Sequence, residues 1–221
     1  MNIRLIIFDF DGTLGDTRQN IVTTMQMTIK ELLLPKRSDD DCASTIGLPL
    51  AGCFNALYPD LEEEMIQQCA ITYRRLFQEN LLTMKPRVFA HVVETLSVLK
   101  QQGYLLTIAS SRSHASLIEL THDLGIADYI SYLIGADDVE NAKPQPEPVL
   151  KTLAAMGVEA CQTLVVGDMA VDIQMGARAQ AKTCGVTYGN GTRNELEEAG
   201  ADYIIDSIDE LPKILLCLLS S

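Results

Sequence analysis

The sequence predicts an α/β protein with a Rossmann-like, doubly wound parallel sheet into which an all-helical segment is inserted. Short apolar runs of β type alternate with amphipathic helical patterns along most of the 221 residues. Residues suited to metal or phosphate binding follow several of these runs directly. One long segment after the first run holds helical patterns and no convincing strand. Such alternation favours a parallel sheet covered by helices, because its strands are buried on both faces.

Six short apolar runs are predicted as strands because they are rich in Val, Ile, Leu and Tyr and end at polar or glycine-containing segments. In chain order they are 3–8, 104–110, 132–136, 163–167, 183–188 and 202–205. Five segments between them carry apolar residues at helical spacing: 91–102, 114–125, 146–156, 171–180 and 192–199. The apolar end of the chain, LPKILLCLLSS, is too short to span a bilayer and is expected to form a last helix that faces the core.

Residues 15–86 break this alternation. Helical patterns at 17–34 and 61–79 lie on either side of the turn IGLPLAG at 46–52. A segment of roughly 70 residues is too long for a simple connection between two elements. We therefore predict a discontinuous α/β core, residues 1–14 and 87–221, and a helical cap domain, residues 15–86.

The composition indicates a globular protein that binds neither nucleic acid nor an anionic membrane. Hydrophobic residues make up 47% of the chain, and the net charge is −13. A surface of this charge repels polyanions, so the expected partner is a small molecule, and we expect a monomer or a homodimer. The six cysteines form no C-x-x-C pair and the N-terminus shows no signal-peptide pattern, which favours reduced thiols and a cytoplasmic location.

Candidate site residues follow four of the predicted strands at the point where each strand ends. They are Asp9, Asp11, Gly12 and Thr13 after the first strand, Ser110, Ser111 and Arg112 after the second, Lys143 after the third, and Asp168 and Asp172 after the fourth. Ligands of open α/β sheets bind beyond the carboxyl ends of the strands, so we expect these groups to converge at one edge of the sheet.

The four carboxylates of this set would repel one another unless a cation lies between them. Oxygen ligands without His or Cys suit a hard divalent ion, and Mg²⁺ first. Lys143, the Ser110 hydroxyl and the backbone amides near Gly12 then remain for the oxygens of a phosphate group. The sequence therefore predicts a site that binds a metal and a phosphoester.

The spacing of Asp9 and Asp11 fits the chemistry of phosphoryl transfer. One carboxylate is suited to attack phosphorus and form an aspartyl-phosphate, and the other to act as general acid and then as general base. Residues two apart on extended backbone point to the same side, so both carboxylates are expected to face one phosphate.

The motifs resemble those of the haloacid dehalogenase-like hydrolases, specifically the branch of the phosphoglycolate phosphatases and β-phosphoglucomutases. DFDGTLGD resembles the first family motif, D-x-D-G-T, and IASSR resembles the second, a strand that ends in Ser or Thr. KPQPEP resembles the third motif, and GDMAVD resembles the fourth, G-D-x-x-x-D. The four motifs occur in order over nearly the whole chain.

The resemblance implies a role for each motif residue. Asp9 would be the nucleophile and Asp11 the general acid and base, while Ser110 and Lys143 would bind the phosphate. It also implies a sheet order of 3-2-1-4-5 and a helical cap inserted after the first motif.

The resemblance implies a magnesium site formed by Asp9, the backbone carbonyl of Asp11 and Asp168, with Asp172 as a further ligand or a neighbour of the ligands. The segment IGLPL around Gly47 resembles a turn of the cap that helps to select the substrate.

The predicted function is a Mg²⁺-dependent phosphatase that acts on a small phosphomonoester and is similar to phosphoglycolate phosphatases. A phosphosugar mutase similar to β-phosphoglucomutase, and a non-catalytic binder of phosphorylated ligands, stay open as alternatives. Ser111 and Arg112 stand where relatives often carry Asn and then Lys, and Arg112 is either a substrate contact or a surface residue. Gly189-Asn190-Gly191 is predicted as a flexible turn after the fifth strand, with an approach to the active site as the less favoured alternative.

Overall fold

Six parallel strands form the central sheet in the computed structural model, which describes residues 2–219. The strands of the described residues are β1 (Leu5–Phe8), β2 (Gly15–Asp16), β3 (Arg87–Val88), β4 (Leu105–Ala109), β5 (Tyr132–Ile134), β6 (Thr163–Gly167), β7 (Lys182–Val186) and β8 (Tyr203–Ile205). The order in the sheet is β5-β4-β1-β6-β7-β8, and β2 and β3 form a separate antiparallel ribbon. The predicted doubly wound fold and its strand order are confirmed, with β8 as a sixth strand at the edge.

Helices connect these strands. Within residues 2–219 they are α1 (Arg18–Glu31), α2 (Asp39–Ala43), α3 (Leu50–Leu57), α4 (Glu63–Leu81), α5 (Val92–Gln101), α6 (His114–Asp123), α7 (Glu147–Met156), α8 (Ala170–Arg178), α9 (Arg193–Glu198) and α10 (Leu211–Leu219). None of these helices has both the length and the apolar character that a membrane span requires. The expected last helix is α10, and its side chains at Leu211 and Leu215 are buried.

The side chains of β1 alternate between two cores, one on each face of the sheet. Leu5 and Ile7 belong to a cluster that includes residues of α7 and α8. Ile6 and Phe8 belong to the cluster on the other face, with residues of α5, α6 and α10. Successive residues of a strand point to opposite faces, so an unbroken apolar run is what a strand covered on both sides requires.

Helices α1 to α4 lie between β2 and β3, and this segment is named the helical insertion (residues 18–81). Its two longest helices, α1 and α4, are joined by an ion pair between Arg75 and Glu31, with 2.5 Å between Nη2 and Oε1. The ribbon at its base pairs Gly15 with Val88. The strand Gly15–Asp16 was not predicted from the sequence. Two residues are too few to show the alternation of side chains that indicates a strand. The division into a core and a cap domain stays a prediction.

The buried sheet predicts a large stability effect at its central strands. Leu106 of β4 is fully buried, whereas the side chain of Leu150 on α7 is 49% exposed. We expect Leu106→Ala to lower the free energy of unfolding by about 2–5 kcal/mol, because it removes buried methyl groups and leaves a cavity. Leu150→Ala is the matched control and is expected to cost less than about 1 kcal/mol. Urea denaturation with unchanged m-values measures both effects, and equal losses would contradict the assignment of the core.

Candidate active site

The residues that follow β1, β4 and β6 meet at one edge of the sheet because these three strands are parallel neighbours. Asp9 follows β1, Ser110 follows β4 and Asp168 follows β6. All three side chains are buried. The carboxyl ends of neighbouring parallel strands are where ligands of this type of sheet bind.

Three of the four predicted carboxylates form a compact cluster. Asp9, Asp168 and Asp172 each offer an oxygen within 4.8 Å of the other two. Lys143 lies against the cluster, and its Nζ donates to Oδ1 of Asp9 at 2.5 Å and to Oδ1 of Asp172 at 2.6 Å. The Lys143 side chain is only 3% exposed, so these ion pairs are almost entirely removed from water.

The cluster carries more negative charge than its own residues neutralise. Burial raises the pKa of Asp9 well above its usual value against the opposing effect of Lys143, and the neighbouring carboxylates add to the rise. Burial and the charge of Asp172 raise the pKa of Asp168 to about 7. Burial alone would lower the pKa of Lys143, but Asp172 and Asp9 outweigh it and raise that pKa, so Lys143 stays a cation. One ammonium group thus faces three buried carboxylates.

This surplus charge and the chemistry of the donors fit a divalent metal ion. The cluster offers carboxylate oxygens with no His or Cys among them, which suits the hard cation Mg²⁺. Carboxylates that repel each other when buried are relieved by a cation placed between them. The donor set is therefore that of the predicted magnesium site, in which Asp9, Asp168 and Asp172 would hold the ion.

Asp168 is held in place by two loops. The Thr13 hydroxyl donates to its Oδ1 at 3.0 Å, and the Asn190 backbone N–H donates to its Oδ2 at 2.6 Å. Asn190 Nδ2 also donates to Oδ2 of Asp168 at 3.2 Å and lies 3.4 Å from the carbonyl oxygen of Asp11. Asn190 therefore bridges two of the predicted metal-binding residues.

Asn190 is not among the predicted site residues, because the sequence favours a plain turn there over a segment that approaches the active site. The signal was present in the glycines on either side of it, because glycine permits close backbone approach. A Cβ atom at Gly189 would lie 2.3 Å from Oδ2 of Asp168, and one at Gly191 would lie 2.2 Å from the Asp168 carbonyl oxygen. Only a loop without side chains at these two positions passes so close to Asp168.

The backbone amides of Gly12 and Thr13 do not take the phosphate-binding role predicted for this turn. The Gly12 N–H donates to the carbonyl of Gly15 at 2.9 Å, and the Thr13 N–H donates to the carbonyl of Phe10 at 3.3 Å, so both amides are used within the turn. Gly12 has a φ of +93°, and a Cβ there would lie 2.1 Å from Oδ2 of Asp168. Gly12 makes room for Asp168, and Thr13 contributes its hydroxyl.

The Asp11 carboxylate lies outside the three-carboxylate cluster. Arg112 Nε donates to its Oδ1 at 2.9 Å and to its Oδ2 at 2.7 Å, and the Thr17 hydroxyl donates to Oδ1 at 2.6 Å. Arg112 itself lies over the ring of Phe77 in α4, 4.8 Å from the ring centroid. Its Nη2 is buried with no hydrogen-bond partner among the described residues. Arg112 therefore connects Asp11 to the helical insertion.

The two serines after β4 have separate contacts. Ser110 Oγ accepts a hydrogen bond from the Arg112 backbone N–H at 3.3 Å. Ser111 Oγ donates to the Gly47 carbonyl at 2.6 Å, which joins the sheet edge to the helical insertion. Gly47 has a φ of +99°, a conformation that favours glycine. The structure thus brings the predicted turn around Gly47 to the same edge as the motif residues.

A cavity of about 450 Å³ lies between this edge and the helical insertion. Its lining includes Asp9, Asp11 and Ser110 together with other residues of the loop after β4, residues of α6 and of the segment after β5, the turn around Gly47, and residues of α1, α3 and α4. A second contact between the two sides is made by Gln78 of α4, whose Nε2 donates to Oε2 of Glu119 on α6 at 2.8 Å. The cavity is therefore continuous with the carboxylate cluster and covered by the helical insertion.

A family model described as "Haloacid dehalogenase-like hydrolase" matches residues 6–186. The chain is a haloacid dehalogenase-like hydrolase. The resemblance seen in the four motifs and the prediction of a hydrolase are confirmed.

Relatives of this hydrolase match it over nearly their whole length. The probable phosphatase IndB of Dickeya dadantii is 36% identical over 94% of this chain and 91% of its own. The pyrophosphatase PpaX of Oceanobacillus iheyensis is 34% identical over 97% of this chain and 98% of its own. The crystal structure of a predicted phosphoglycolate phosphatase from Haemophilus somnus has a TM-score of 0.89 and 25% identity over 97% of this chain and 98% of its own.

The raised pKa of Asp168 predicts how the stability of the metal-free hydrolase depends on pH. With a pKa of about 7 when folded and the ordinary value of 3.8 when unfolded, Asp168 binds more protons in the folded state between these values. The free energy of unfolding should therefore fall as the pH rises through this window, by about 1.4 kcal/mol for each pH unit. Metal ligands must be deprotonated, so stabilisation by Mg²⁺ should grow over the same window.

Thermal unfolding in EDTA and in Mg²⁺ between about pH 5 and 8 measures both trends. Asp168→Asn serves as the control, because it removes one titrating carboxyl group and should make the EDTA series less steep, while the contribution of Asp9, whose pKa is also raised, remains. A midpoint temperature of unfolding that rises with pH in EDTA would contradict the surplus of negative charge in the cluster.

The contacts of Asn190 predict a role in metal affinity. Asn190→Ala removes the side-chain contacts to Asp168 and Asp11 but keeps the backbone N–H, and groups that orient metal ligands are typically worth about 10–100-fold in metal affinity. We expect the dissociation constant for Mn²⁺, followed by electron paramagnetic resonance, to rise by about tenfold or more. Asn141→Ala is the matched control, because Asn141 Nδ2 donates to Glu147 at 3.0 Å on the exposed surface. Equal Mn²⁺ affinities in the two variants would contradict this role.

Proposed function

We propose that this hydrolase is a Mg²⁺-dependent phosphatase that acts on a small phosphomonoester through an aspartyl-phosphate, in the manner of phosphoglycolate phosphatases. The observation that carries the proposal is the position of the Asp9 carboxylate, which directly follows the central strand β1, accepts a hydrogen bond from Lys143 and clusters with the carboxylates of Asp168 and Asp172. The relatives named as a probable phosphatase, a pyrophosphatase and a predicted phosphoglycolate phosphatase support phosphoryl chemistry.

In the first step, an Asp9 oxygen attacks phosphorus, and the bond from phosphorus to the alcohol oxygen breaks. Lys143 holds Oδ1 of Asp9 at 2.5 Å and so fixes the direction of the carboxylate. The leaving oxygen takes a proton from Asp11, whose carboxyl group is the acid at this edge. The product alcohol departs and the phosphoryl group stays on Asp9 as an acyl phosphate.

In the second step, Asp11 takes a proton from a water molecule, which attacks the phosphorus of the aspartyl-phosphate. The bond between phosphorus and the Asp9 oxygen breaks, inorganic phosphate forms, and the Asp9 carboxylate is restored. Arg112 and Thr17 hold the Asp11 carboxylate, the base of this second step, through bonds to its two oxygens. As the acid of the first step, Asp11 carries a proton on one of these oxygens in place of an accepted hydrogen bond.

The phosphoryl oxygens carry negative charge in both steps and need positive or hydrogen-bonding groups around them. We assign this role to Lys143, which donates to Asp9, and to the Ser110 hydroxyl, which lines the same cavity as Asp9. A Mg²⁺ ion held by Asp9, the Asp11 carbonyl, Asp168 and Asp172 would neutralise part of the same charge.

The helical insertion is proposed to act as a cap that covers the site, with the domain boundaries expected from the sequence. The contacts of Ser111 with Gly47 and of Gln78 with Glu119 support this, since both join the insertion to the sheet edge. Closure over such a site excludes water and lets the cap contact the non-phosphate part of the substrate. The cytoplasmic location and the monomeric or homodimeric state stay predictions.

Phosphate release from a panel of phosphoesters, with Mg²⁺ and with EDTA, tests the proposed function. The panel contains phosphoglycolate, hexose phosphates, nucleoside monophosphates and pyrophosphate. Release that requires Mg²⁺ supports the proposal. Conversion of a hexose 1-phosphate to the 6-phosphate without release would support the mutase, and binding of phosphate without turnover would support a non-catalytic binder.

The proposed nucleophile makes a specific prediction. Asp9→Asn is nearly isosteric, so the fold should survive, but the amide is a poor nucleophile and turnover should fall by at least about 10³-fold. Asp60→Asn is the control, because Asp60 is exposed in the helical insertion, and its rate should equal that of the original protein. Circular dichroism establishes that both variants are folded. A rate for Asp9→Asn within tenfold of the original would rule out Asp9 as the nucleophile.

A further inference from the structure

We propose that the phosphomonoester recognised at this site has an apolar, ring-sized alcohol part, and that it carries no second anionic group. This inference rests on the proposed phosphatase function and specifies the chemical class of its substrate. The observations are the size of the cavity, the character of its wall and the charges that line it.

The cavity begins at the proposed reaction centre and extends into the helical insertion. Asp9, Asp11 and Ser110 belong to its lining and so do residues of α1, α3 and α4, so the alcohol part of a phosphoester bound at Asp9 shares the cavity with these helices. The volume of about 450 Å³ falls within the range of roughly 300–1,000 Å³ typical of pockets that hold drug-sized ligands. A leaving group of two carbon atoms would leave most of this space unfilled.

The part of the lining that the helical insertion contributes is mostly apolar. The side chains of the helical insertion that form it include Ile21, Met25, Leu50, Cys53, Tyr73 and Phe77.

The aromatic part of this wall is already ordered. The rings of Tyr73 and Phe77 stack with their centroids 5.8 Å apart, and the ring of Phe54 packs edge-on against Tyr73. Tyr73 and Phe77 are buried. A wall of this kind stabilises an apolar group that leaves water, and flat rings are suited to pack against another ring.

The charges that line the cavity disfavour a second anion. Two guanidinium and four carboxylate side chains line it; Asp9 and Asp11 belong to the proposed reaction centre, and the other two carboxylates, Glu119 and Asp137, leave the remainder of the lining negative. One guanidinium belongs to Arg112, which is already paired with Asp11 and covered by Phe77. The other belongs to Arg74, which is exposed on α4. A carboxylate or a second phosphate on the substrate would thus lose its hydration and meet a negative surface.

The contacts that cover the cavity strengthen this argument. Ser111 bonded to Gly47 and Gln78 bonded to Glu119 close two sides of it. The apolar side chains of the helical insertion give little compensation to a charged or strongly hydrated alcohol part that packs against them. It gives a large benefit to an apolar one, because a single methylene in such a pocket changes kcat/KM by roughly 10–200-fold.

The test compares 2-phenylethyl phosphate with ethyl phosphate, phosphoglycolate and pyrophosphate in the presence of Mg²⁺. The first two are both phosphates of simple primary alcohols, so they differ mainly in the phenyl ring. We expect kcat/KM for 2-phenylethyl phosphate to exceed each of the other three values by about tenfold or more. A preference for phosphoglycolate or pyrophosphate, or equal values for the two alkyl esters, would overturn the inference.

A wall variant tests whether the selectivity comes from this cavity. Ala51 lines the cavity, and Ala51→Phe places a ring in it. The ratio of the kcat/KM values for 2-phenylethyl and ethyl phosphate should fall by about tenfold. Ala154→Phe is the matched control, because Ala154 is exposed on α7, and its ratio should stay unchanged. A ratio that falls equally in both variants would refute the assignment of the cavity.

A binding measurement separates this inference from the proposed function. The phosphonates 3-phenylpropylphosphonate and propylphosphonate mimic the two alkyl esters and are not hydrolysed. Calorimetry with Mg²⁺ should show the phenyl compound binding about tenfold more tightly. If no ester is hydrolysed but this preference holds, the phosphatase function fails and the apolar specificity stands. If esters are hydrolysed and the phosphonates bind equally, the function stands and the specificity fails.

Discussion

The ion pairs of Lys143 with Asp9 and Asp172 are the interactions on which the rest of the site depends. Lys143 precedes α7, Asp9 ends β1 and Asp172 lies on α8, so one buried ammonium group ties together three parts of the chain. Taking these charges out of water is costly, and a pair repays the cost only when its geometry is close and its polar atoms are bonded. Here the distances are 2.5 and 2.6 Å. The pairing still leaves negative charge uncompensated, and this remaining charge favours a cation at the edge of the sheet.

The sheet supplies the rigidity that this arrangement needs. β1 is hydrogen-bonded to β4 on one side and to β6 on the other, and its side chains fill cores on both faces. The glycines at the strand ends then permit distances that no other residue allows. A Cβ at Gly167 would lie 2.3 Å from the Cβ of Asp172, and one at Gly12 would lie 2.1 Å from Asp168. The carboxylates are therefore close together because the strand ends are fixed and because the glycines at these two positions place no side chain against them.

Much of this could be predicted from the sequence because the signals are local. The apolar runs reveal the strands, and the acids that follow them reveal Asp9, Asp168 and Asp172 as neighbours at the sheet edge. The partners of Asp11 could not be predicted in this way. Arg112 is 101 residues from Asp11 and Asn190 is 179 residues from it, and neither contact produces a periodic pattern in the sequence. The same limit applies to β2, whose two residues pair with a strand at the far end of the helical insertion.

Arg112 shows why the helical insertion and the chemistry belong together. Its guanidinium group binds both oxygens of Asp11 and also lies over Phe77 of α4. Any displacement of α4 from the sheet edge therefore changes the surroundings of the group proposed to carry protons to and from the substrate. The Ser111 bond to Gly47 ties the neighbouring residue of the same loop to the same insertion. Because both contacts come from the short loop after β4, the fit of a ligand against the apolar wall and the orientation of Asp11 are set by one packing arrangement. The proposed recognition of the alcohol part and the proposed proton transfer at its oxygen are thus coupled through the packing of Arg112 between Asp11 and Phe77.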